Sequence, residues 1–178
     1  CVRYHHGKYL SNADIKEDDL AYITYFADNV AAFTDRREAD ASEGGFDKRI
    51  PLDSVFNILN GNNKKCHYAM QVLDPTKEIN YPTEDAVVMD EHFYKEIVQN
   101  ITDNLRGISL NEEYVNSLLT VMEANLTYIP SSTSKKELAD ISLFDHVKVT
   151  AAISSCVEQY LSEQKIGDYK SILFEDAK

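Results

Sequence analysis

One segment constrains the fold of this chain most: residues 21–38, whose apolar side chains repeat with the period of an α-helix. Spacings of three and four residues put these side chains on one stripe, which a helix of a globular protein buries. The stripe consists of Leu20, Ile23, Phe26, Ala27, Val30, Ala31 and Thr34. Acidic residues precede the segment, and Arg36 and Arg37 end it, which suits both ends of a helix dipole. The sequence therefore predicts one long amphipathic helix here.

Asp28 lies at the edge of this stripe. Its neighbours one turn away are Thr24, Ala31 and Ala32, all with small side chains. A carboxylate among small side chains leaves room for a bound group, and a metal ion is the first candidate. The alternative is an exposed or capped aspartate beside a packed helix, and the helix considered alone favours this alternative.

Two adjacent histidines, His5 and His6, precede the helix and are followed by Gly7. We predict that residues 1–10 are the tail of a helix that Gly7 caps, because glycine is common at that position. A solvent-facing pair at a helix end is one interpretation. Metal binding is the other, and the nearby helical aspartate favours it, because imidazole and carboxylate together suit Mn, Fe, Ni or Zn.

A second informative segment, residues 141–163, predicts another long helix. One face of it carries His146, Thr150, Ile153, Val157 and Leu161. A histidine on an apolar stripe is usually a core residue with one hydrogen bond, and a metal ligand is the less common alternative. Asp145 beside it is equally suited to cap the start of the helix.

The middle of the chain predicts further helices. Pro51 favours a short helix, which Gly61 ends. Its apolar face is expected to be Leu52, Val55, Phe56 and Leu59. Two core-forming helices are predicted later, with Asp90 as the cap of the first and Asn111 at the start of the second.

A small hairpin is also predicted in this middle region. Residues 66–73 alternate polar and apolar side chains, and we expect them to pair with residues 86–89. His67 is expected to be an ordinary polar residue on this ribbon. The predicted fold class is therefore mainly α, with a small β-hairpin insertion.

Composition limits the classes of function. The 178 residues carry a net charge of −12, which excludes a broad basic surface for a phosphate backbone. The three cysteines are widely spaced and odd in number, which fits reduced cytosolic thiols better than disulfides or thiolate zinc. No apolar run approaches the ~18 residues of a membrane helix. Because the chain opens at Cys1 instead of Met, we expect it to be part of a longer polypeptide. The cysteine usage agrees with a cytoplasmic location, which we also expect.

Three segments together resemble one family. They are Tyr4-His5-His6, residues 21–37 (AYITYFADNVA…DRR), and residues 129–154 (IPSST…DISLFDH…TAAIS). Residues 51–56 (PLDSVF) match as well. Over residues 4–173 the chain resembles the N-terminal HD domain of the large signature subunit of type III-A CRISPR effector complexes, the Csm complex.

The resemblance implies a helical HD-type domain that holds a divalent metal (Mn, Ni, Mg or similar) and cleaves single-stranded DNA within the full subunit. It implies a ribonucleoprotein with other Csm subunits and crRNA, in which target RNA activates cleavage in antiviral defence. No membrane partner is expected. The family's palm domains convert ATP into cyclic oligoadenylates through a Gly-Gly-Asp-Asp motif, and they are expected outside this chain, which lacks the motif.

One departure concerns the metal site. The namesake His-Asp dipeptide of the family lies upstream of the stretch that matches Tyr4-His5-His6, and no His-Asp occurs in this chain. We therefore expect the chain to begin just after two metal ligands. The resemblance implies that His5, His6 and Asp28 are the remaining metal ligands or their near neighbours. His146 is a further candidate, which binds the metal or contacts the scissile phosphate, and Asp28 and His146 are the expected catalytic residues.

The implied organisation is one HD domain over residues 1–178. Residues 1–40 and 140–163 would surround the metal site, and residues 41–130 would form a helical and hairpin insertion. Two other functions stay open. A catalytically incomplete scaffold that docks other Csm subunits would take up no metal, whereas an HD phosphohydrolase of small nucleotides would turn over mononucleotides in a closed pocket.

Overall fold

The computed structural model describes residues 2–4, 6–35, 44–61, 64–85 and 91–173. Helices dominate these residues, and a two-stranded antiparallel sheet accompanies them, so the predicted fold class is confirmed. The α-helices are α1 (Gly7–Leu10), α2 (Leu20–Asp35), α3 (Glu91–Leu105), α4 (Glu112–Leu126) and α5 (Leu143–Glu163). The strands are β1 (Leu52–Asp53) and β2 (His67–Tyr68), and 3₁₀ helices span Val2–Tyr4, Val55–Asn60 and Tyr169–Ile172. Among the residues described, no helix is long and apolar enough to span a membrane.

The chain divides into two compact units, and the first consists of Cys1–Asp35 with His146–Lys178. Helix α1, the start of α2 and the last 3₁₀ helix share its core. The buried members are Leu10, Ala21, Tyr22 and Leu173. Full burial of a large apolar side chain contributes about 2 kcal/mol, so this cluster fixes the start of α2.

Helix α2 begins and is buried much as its periodicity predicts. The Oδ1 atom of Asp19 accepts a hydrogen bond from the Ala21 N–H at 2.8 Å, which caps the helix. The buried residues are Ala21, Tyr22, Ile23, Ala27, Ala31 and Ala32. Leu20 is 53% exposed, so the buried stripe is shifted from the predicted one. The predicted end of the helix, residues 36–38, lies outside the described residues.

The second unit is Arg36–Asp145. Helices α3 and α4 and the first residues of α5 pack around Ile97, Leu126, Ile129 and Phe144. Asn111 caps α4, as predicted, and its side chain accepts hydrogen bonds from the N–H groups of Glu113 and Tyr114. The predicted cap of α3, Asp90, lies outside the described residues.

The helix predicted to open at Pro51 is wrong. Residues 52–53 form β1, and Ser54 caps a 3₁₀ helix by accepting a hydrogen bond from the Phe56 N–H. Three of the four side chains expected to be buried are exposed: Val55 by 46%, Phe56 by 62% and Leu59 by 81%. The reason is a long-range contact, because the side chain of Asn57 binds both the N–H and the carbonyl of Cys66. Gly61 ends the 3₁₀ helix with a φ of 71°, as predicted.

The strand predicted within residues 66–73 is present as β2, but its described partner is β1. The register pairs Leu52 with Tyr68 and Asp53 with His67. An isolated bridge also links His67 to Thr83. The expected partner, residues 86–89, lies outside the described residues.

Gly7 does not cap the end of a helix, and that prediction is also wrong. Helix α1 begins at Gly7, and the extended backbone of His6 precedes it. A Cβ atom at Gly7 would lie 2.9 Å from the Oη of Tyr25. The chain therefore passes close to α2 at this point, one turn before Asp28.

Candidate functional site

Asp28 and His146 come together in the first unit. The Nε2 atom of His146 lies 3.1 Å from the Oδ1 atom of Asp28. The side chain of His146 is 14% exposed and that of Asp28 is 24% exposed, so both are largely buried but reachable from solvent. The sequence allowed two interpretations of His146, a core histidine with one hydrogen bond and a metal ligand. The geometry is compatible with both.

A cap at the start of α5 fixes the turn from which His146 projects. The Asp145 N–H donates to the Oγ of Ser142 at 3.0 Å, and the Ser142 hydroxyl donates to the Oδ2 of Asp145 at 2.8 Å. Ser142 is the N-cap of α5, and the carboxylate of Asp145 holds the capping hydroxyl in place. Asp145 is thus a partner of the cap, and Ser142 is the cap itself.

The predicted face of α5 is the less exposed one. Thr150, Ile153 and Val157 are partly buried, and Leu161 is buried. Thr150 follows His146 by one turn and shares its face. The Oγ1 atom of Thr150 is buried and has no hydrogen-bond partner in the described part of the chain.

The geometry of Asp28 and His146 fits two ligands of one metal ion. Two ligand atoms that each lie about 2.1 Å from an ion, at roughly a right angle, are about 3 Å apart. The measured separation of 3.1 Å is close to this value. An imidazole and a carboxylate are suited to Mn, Fe, Ni or Zn, and the buried Thr150 hydroxyl adds a polar group that lacks a partner.

The described residues do not form a complete metal site. His6 is exposed, and its ring centroid lies 6.4 Å from that of Tyr9. No three His, Cys, Asp or Glu side chains within the described ranges are arranged to hold a metal ion. His5, the other predicted ligand, lies outside those ranges. The assignment of metal ligands therefore stays a prediction.

A second histidine–aspartate pair joins the two strands, which the sequence did not predict. The Nδ1 atom of His67 lies 2.6 Å from the Oδ1 atom of Asp53. Burial raises the pKa of Asp53, and the charge of Asp140 adds to this increase, whereas His67 opposes it. Only the pairing of β1 with β2 could have predicted this contact from the sequence. The sequence analysis instead paired β2 with residues 86–89, so the contact was missed.

Comparison with known proteins identifies homologues of nearly the whole chain. No protein-family model matches it. The CRISPR system single-strand-specific deoxyribonuclease Cas10/Csm1 (subtype III-A) of Enterococcus italicus is 37% identical over 97% of the chain. The protein of the same name from Mycobacterium tuberculosis is 37% identical over 98% of it. The chain spans 24% and 22% of these two relatives, about a quarter of their length.

Solved structures give the same result. A Csm1–Csm4 cassette in complex with one ATP matches 75% of the chain and 15% of the solved chain, with a TM-score of 0.56 and 31% identity. Csm1 of T. onnurineus matches 75% of the chain and 16% of its own, with a TM-score of 0.55 and 30% identity. The homologues of this chain are thus proteins of CRISPR systems. More narrowly, they are Cas10/Csm1 proteins of subtype III-A, and the chain corresponds to one region of them.

Proposed function

We propose that this chain is the HD nuclease domain of a Cas10/Csm1 subunit and that it cleaves single-stranded DNA with a bound divalent metal. The observation that carries the proposal is the approach of Asp28 and His146 to 3.1 Å. It occurs in a chain whose relatives are named single-strand-specific deoxyribonucleases. The proposal extends that printed activity to the region that this chain represents.

Asp28 and His146 would hold the metal, with His5 and His6 as further ligands. A divalent metal at such a site supplies a hydroxide near neutral pH and neutralises charge on the phosphate oxygens. Without metal, the Oδ1 of Asp28 accepts a hydrogen bond from the Nε2 of His146 when that nitrogen carries the proton, which orients the imidazole before a metal replaces the proton. The Thr150 hydroxyl lies one turn from His146 on the same face of α5 and is buried without a hydrogen-bond partner in the described part of the chain.

The full subunit would work within a Csm complex. Solved relatives are cassettes of Csm1 with Csm4, which supports association with other Csm subunits. We propose crRNA and an activating target RNA as further partners and place ATP conversion in palm domains outside these 178 residues. Because the chain carries a net charge of −12, most of the contacts that bind the DNA phosphates must come from other parts of the complex.

The test is metal-dependent cleavage of single-stranded DNA by the full-length subunit. We expect Asp28→Asn and His146→Gln each to abolish cleavage and to weaken Mn²⁺ binding in calorimetry, with the circular dichroism spectrum unchanged. Both substitutions keep the size of the side chain, so the loss would reflect chemistry and not packing.

Matched controls come from α3. His92 and Asp103 are exposed and lie in the other unit, so His92→Gln and Asp103→Asn should leave cleavage and Mn²⁺ affinity unchanged. Full activity in a folded Asp28→Asn protein would contradict the proposal. Activity lost equally in the controls would contradict it too.

A further inference from the structure

A cavity of about 630 Å³ lies in the unit formed by Arg36–Asp145. Its lining comes from β1, the 3₁₀ helix that follows it, β2, residues 79–82, the chain between α4 and α5, and the start of α5. Three carboxylates line it, those of Asp53, Asp140 and Asp145. The described lining contains no lysine, arginine or histidine. The cavity is therefore acidic.

The walls of the cavity are aromatic. The rings of Tyr68 and Tyr128 pack with their centroids 5.7 Å apart and an interplanar angle of 34°. Phe56 and Tyr81 complete the aromatic lining. Planar cations stack on such rings, and a guanidinium does so better than an ammonium.

The rim of the cavity is apolar and exposed. Phe56 is 62% exposed, Ile79 72% and Tyr81 71%, and all three line the opening. Large apolar side chains that cluster around a cavity, and are not scattered singly, mark a binding surface. The site thus combines an acidic interior with an apolar border.

The positive groups that act on Asp53 lie outside the lining of the cavity. His67 is hydrogen-bonded to Asp53, and Lys65 also acts on the pKa of Asp53, but neither side chain lines the cavity. Burial is still the largest influence and raises the pKa of Asp53. A cation that entered the cavity would face the carboxylate of Asp53, whose raised pKa indicates that its charge is only partly compensated.

We infer that this cavity receives an arginine side chain from the part of the same subunit that lies outside these 178 residues, with apolar neighbours of that arginine covering the rim. A guanidinium matches the site, because it pairs with carboxylates in a planar geometry and stacks on tyrosine. The inference rests on the proposed membership of the chain in Cas10/Csm1.

The length of the relatives favours the same polypeptide as the source. The chain spans 24% of the Enterococcus italicus relative, so about three quarters of such a subunit lie elsewhere in the polypeptide. A pocket for one side chain gives weak affinity in solution. Covalent linkage raises the effective concentration of the docking segment to the millimolar range, which compensates for this weakness.

The experiment is photo-crosslinking in the purified full-length subunit. Tyr81 is replaced by p-benzoylphenylalanine, which its exposure permits without disturbing the core. After irradiation we expect an intramolecular crosslink to a peptide outside residues 1–178 that contains arginine, identified by mass spectrometry. Replacing that arginine with glutamate should lower the crosslink yield at least about tenfold, since it turns a charge-assisted pair into a repulsion.

Leu110 provides the matched control, because it is 85% exposed and does not line the cavity. The same crosslinker at Leu110 should not give the Tyr81 product. The inference is overturned by equal yields at the two positions, by crosslinks only between two copies of the subunit, or by a product without an adjacent arginine.

DNA cleavage by the same protein distinguishes this inference from the proposed nuclease function. An active subunit that gives no crosslink contradicts only the docking of the arginine. A crosslinked subunit whose Asp28→Asn variant stays active contradicts only the nuclease assignment.

Discussion

The Nε2 of His146 lies 3.1 Å from the Oδ1 of Asp28, although the two residues are 118 positions apart in the chain. This pair is the contact on which the proposed site depends. A direct hydrogen bond and joint metal ligation are both compatible with the distance. The two arrangements predict different effects of Mn²⁺ on the free energy of unfolding, which can be measured.

A double-mutant cycle measures the pair. Without metal, Asp28→Ala and His146→Ala should couple by about 1 kcal/mol in the free energy of unfolding, the usual contribution of one partly buried hydrogen bond. With Mn²⁺ added, the wild type should gain stability and all three variants should not. Urea unfolding of the 178-residue chain with and without Mn²⁺ gives both values. Zero coupling without metal would contradict the hydrogen bond.

The unpartnered hydroxyl of Thr150 gives a second prediction. Thr150→Val replaces the hydroxyl with a methyl group of similar size, so the metal-free chain should be stabilised by about 1 kcal/mol. If the hydroxyl takes part in the metal site, the variant should gain less stability than the wild type on adding Mn²⁺. Thr150→Ser keeps the hydroxyl and serves as the control. A destabilised valine variant would mean that the hydroxyl has a partner.

The strand pair predicts a pH dependence. Burial raises the pKa of Asp53 above 3.8, so the folded chain binds this proton more tightly than the unfolded chain. The contribution of Asp53 to stability should therefore fall as the pH rises above about 3.8. Relative to Asp53→Asn, the wild type should be more stable at pH 3 than at pH 7. Denaturant unfolding at several pH values measures this difference.

Asp47 provides a control of opposite sign. Hydrogen bonds from Arg49 lower the pKa of Asp47 from 3.8 to about 2. Its contribution is present above 3.8 and lost as the pH falls towards about 2. Relative to Asp47→Asn, the wild type should gain stability as the pH rises through this range. The same slope for both aspartates would contradict the assignment of Asp53 as a destabilised carboxylate.

Alanine substitutions at two glycines distinguish the cost of backbone strain from the cost of steric overlap. Gly107, just after α3, has a φ of 82°, whereas Gly167 lacks a positive φ, and a Cβ atom at either position would meet no neighbour within 4 Å. Gly107→Ala should destabilise the chain by about 1 kcal/mol, because only the left-handed conformation penalises alanine there. Gly167→Ala should be neutral or stabilise by about 0.5 kcal/mol. Thermal unfolding of both variants measures the contrast.

Local signals predicted the long helices well. Asn111 caps α4, and His146 shares the less exposed face of α5, because caps and helical periodicity depend on neighbours within a few residues. Asp28 was placed at the edge of its stripe for the same reason, and it is partly buried. Residue spacing alone did not indicate that Asp28 and His146 belong to one site. The family resemblance led to that prediction.

Long-range contacts explain what the sequence did not predict. Pro51 and the apolar spacing after it fit a helix, but the pairing of β1 with β2 and the contact between Asn57 and Cys66 override that preference. The pairing of Asp53 with His67 follows from the same register. Spacing placed Thr150 on the face of His146, but only the structure identifies its hydroxyl as buried without a described partner.

The two histidine–aspartate pairs close loops of very different length. Asp53 and His67 are 14 residues apart, whereas Asp28 and His146 are 118 residues apart. Because the entropy of loop closure grows with the logarithm of length, the longer loop costs about 2 kcal/mol more. On the ribosome the strand pair can form while His146 has yet to be synthesised. The site proposed at Asp28 and His146 therefore cannot form in the nascent chain until both residues have been synthesised and have met.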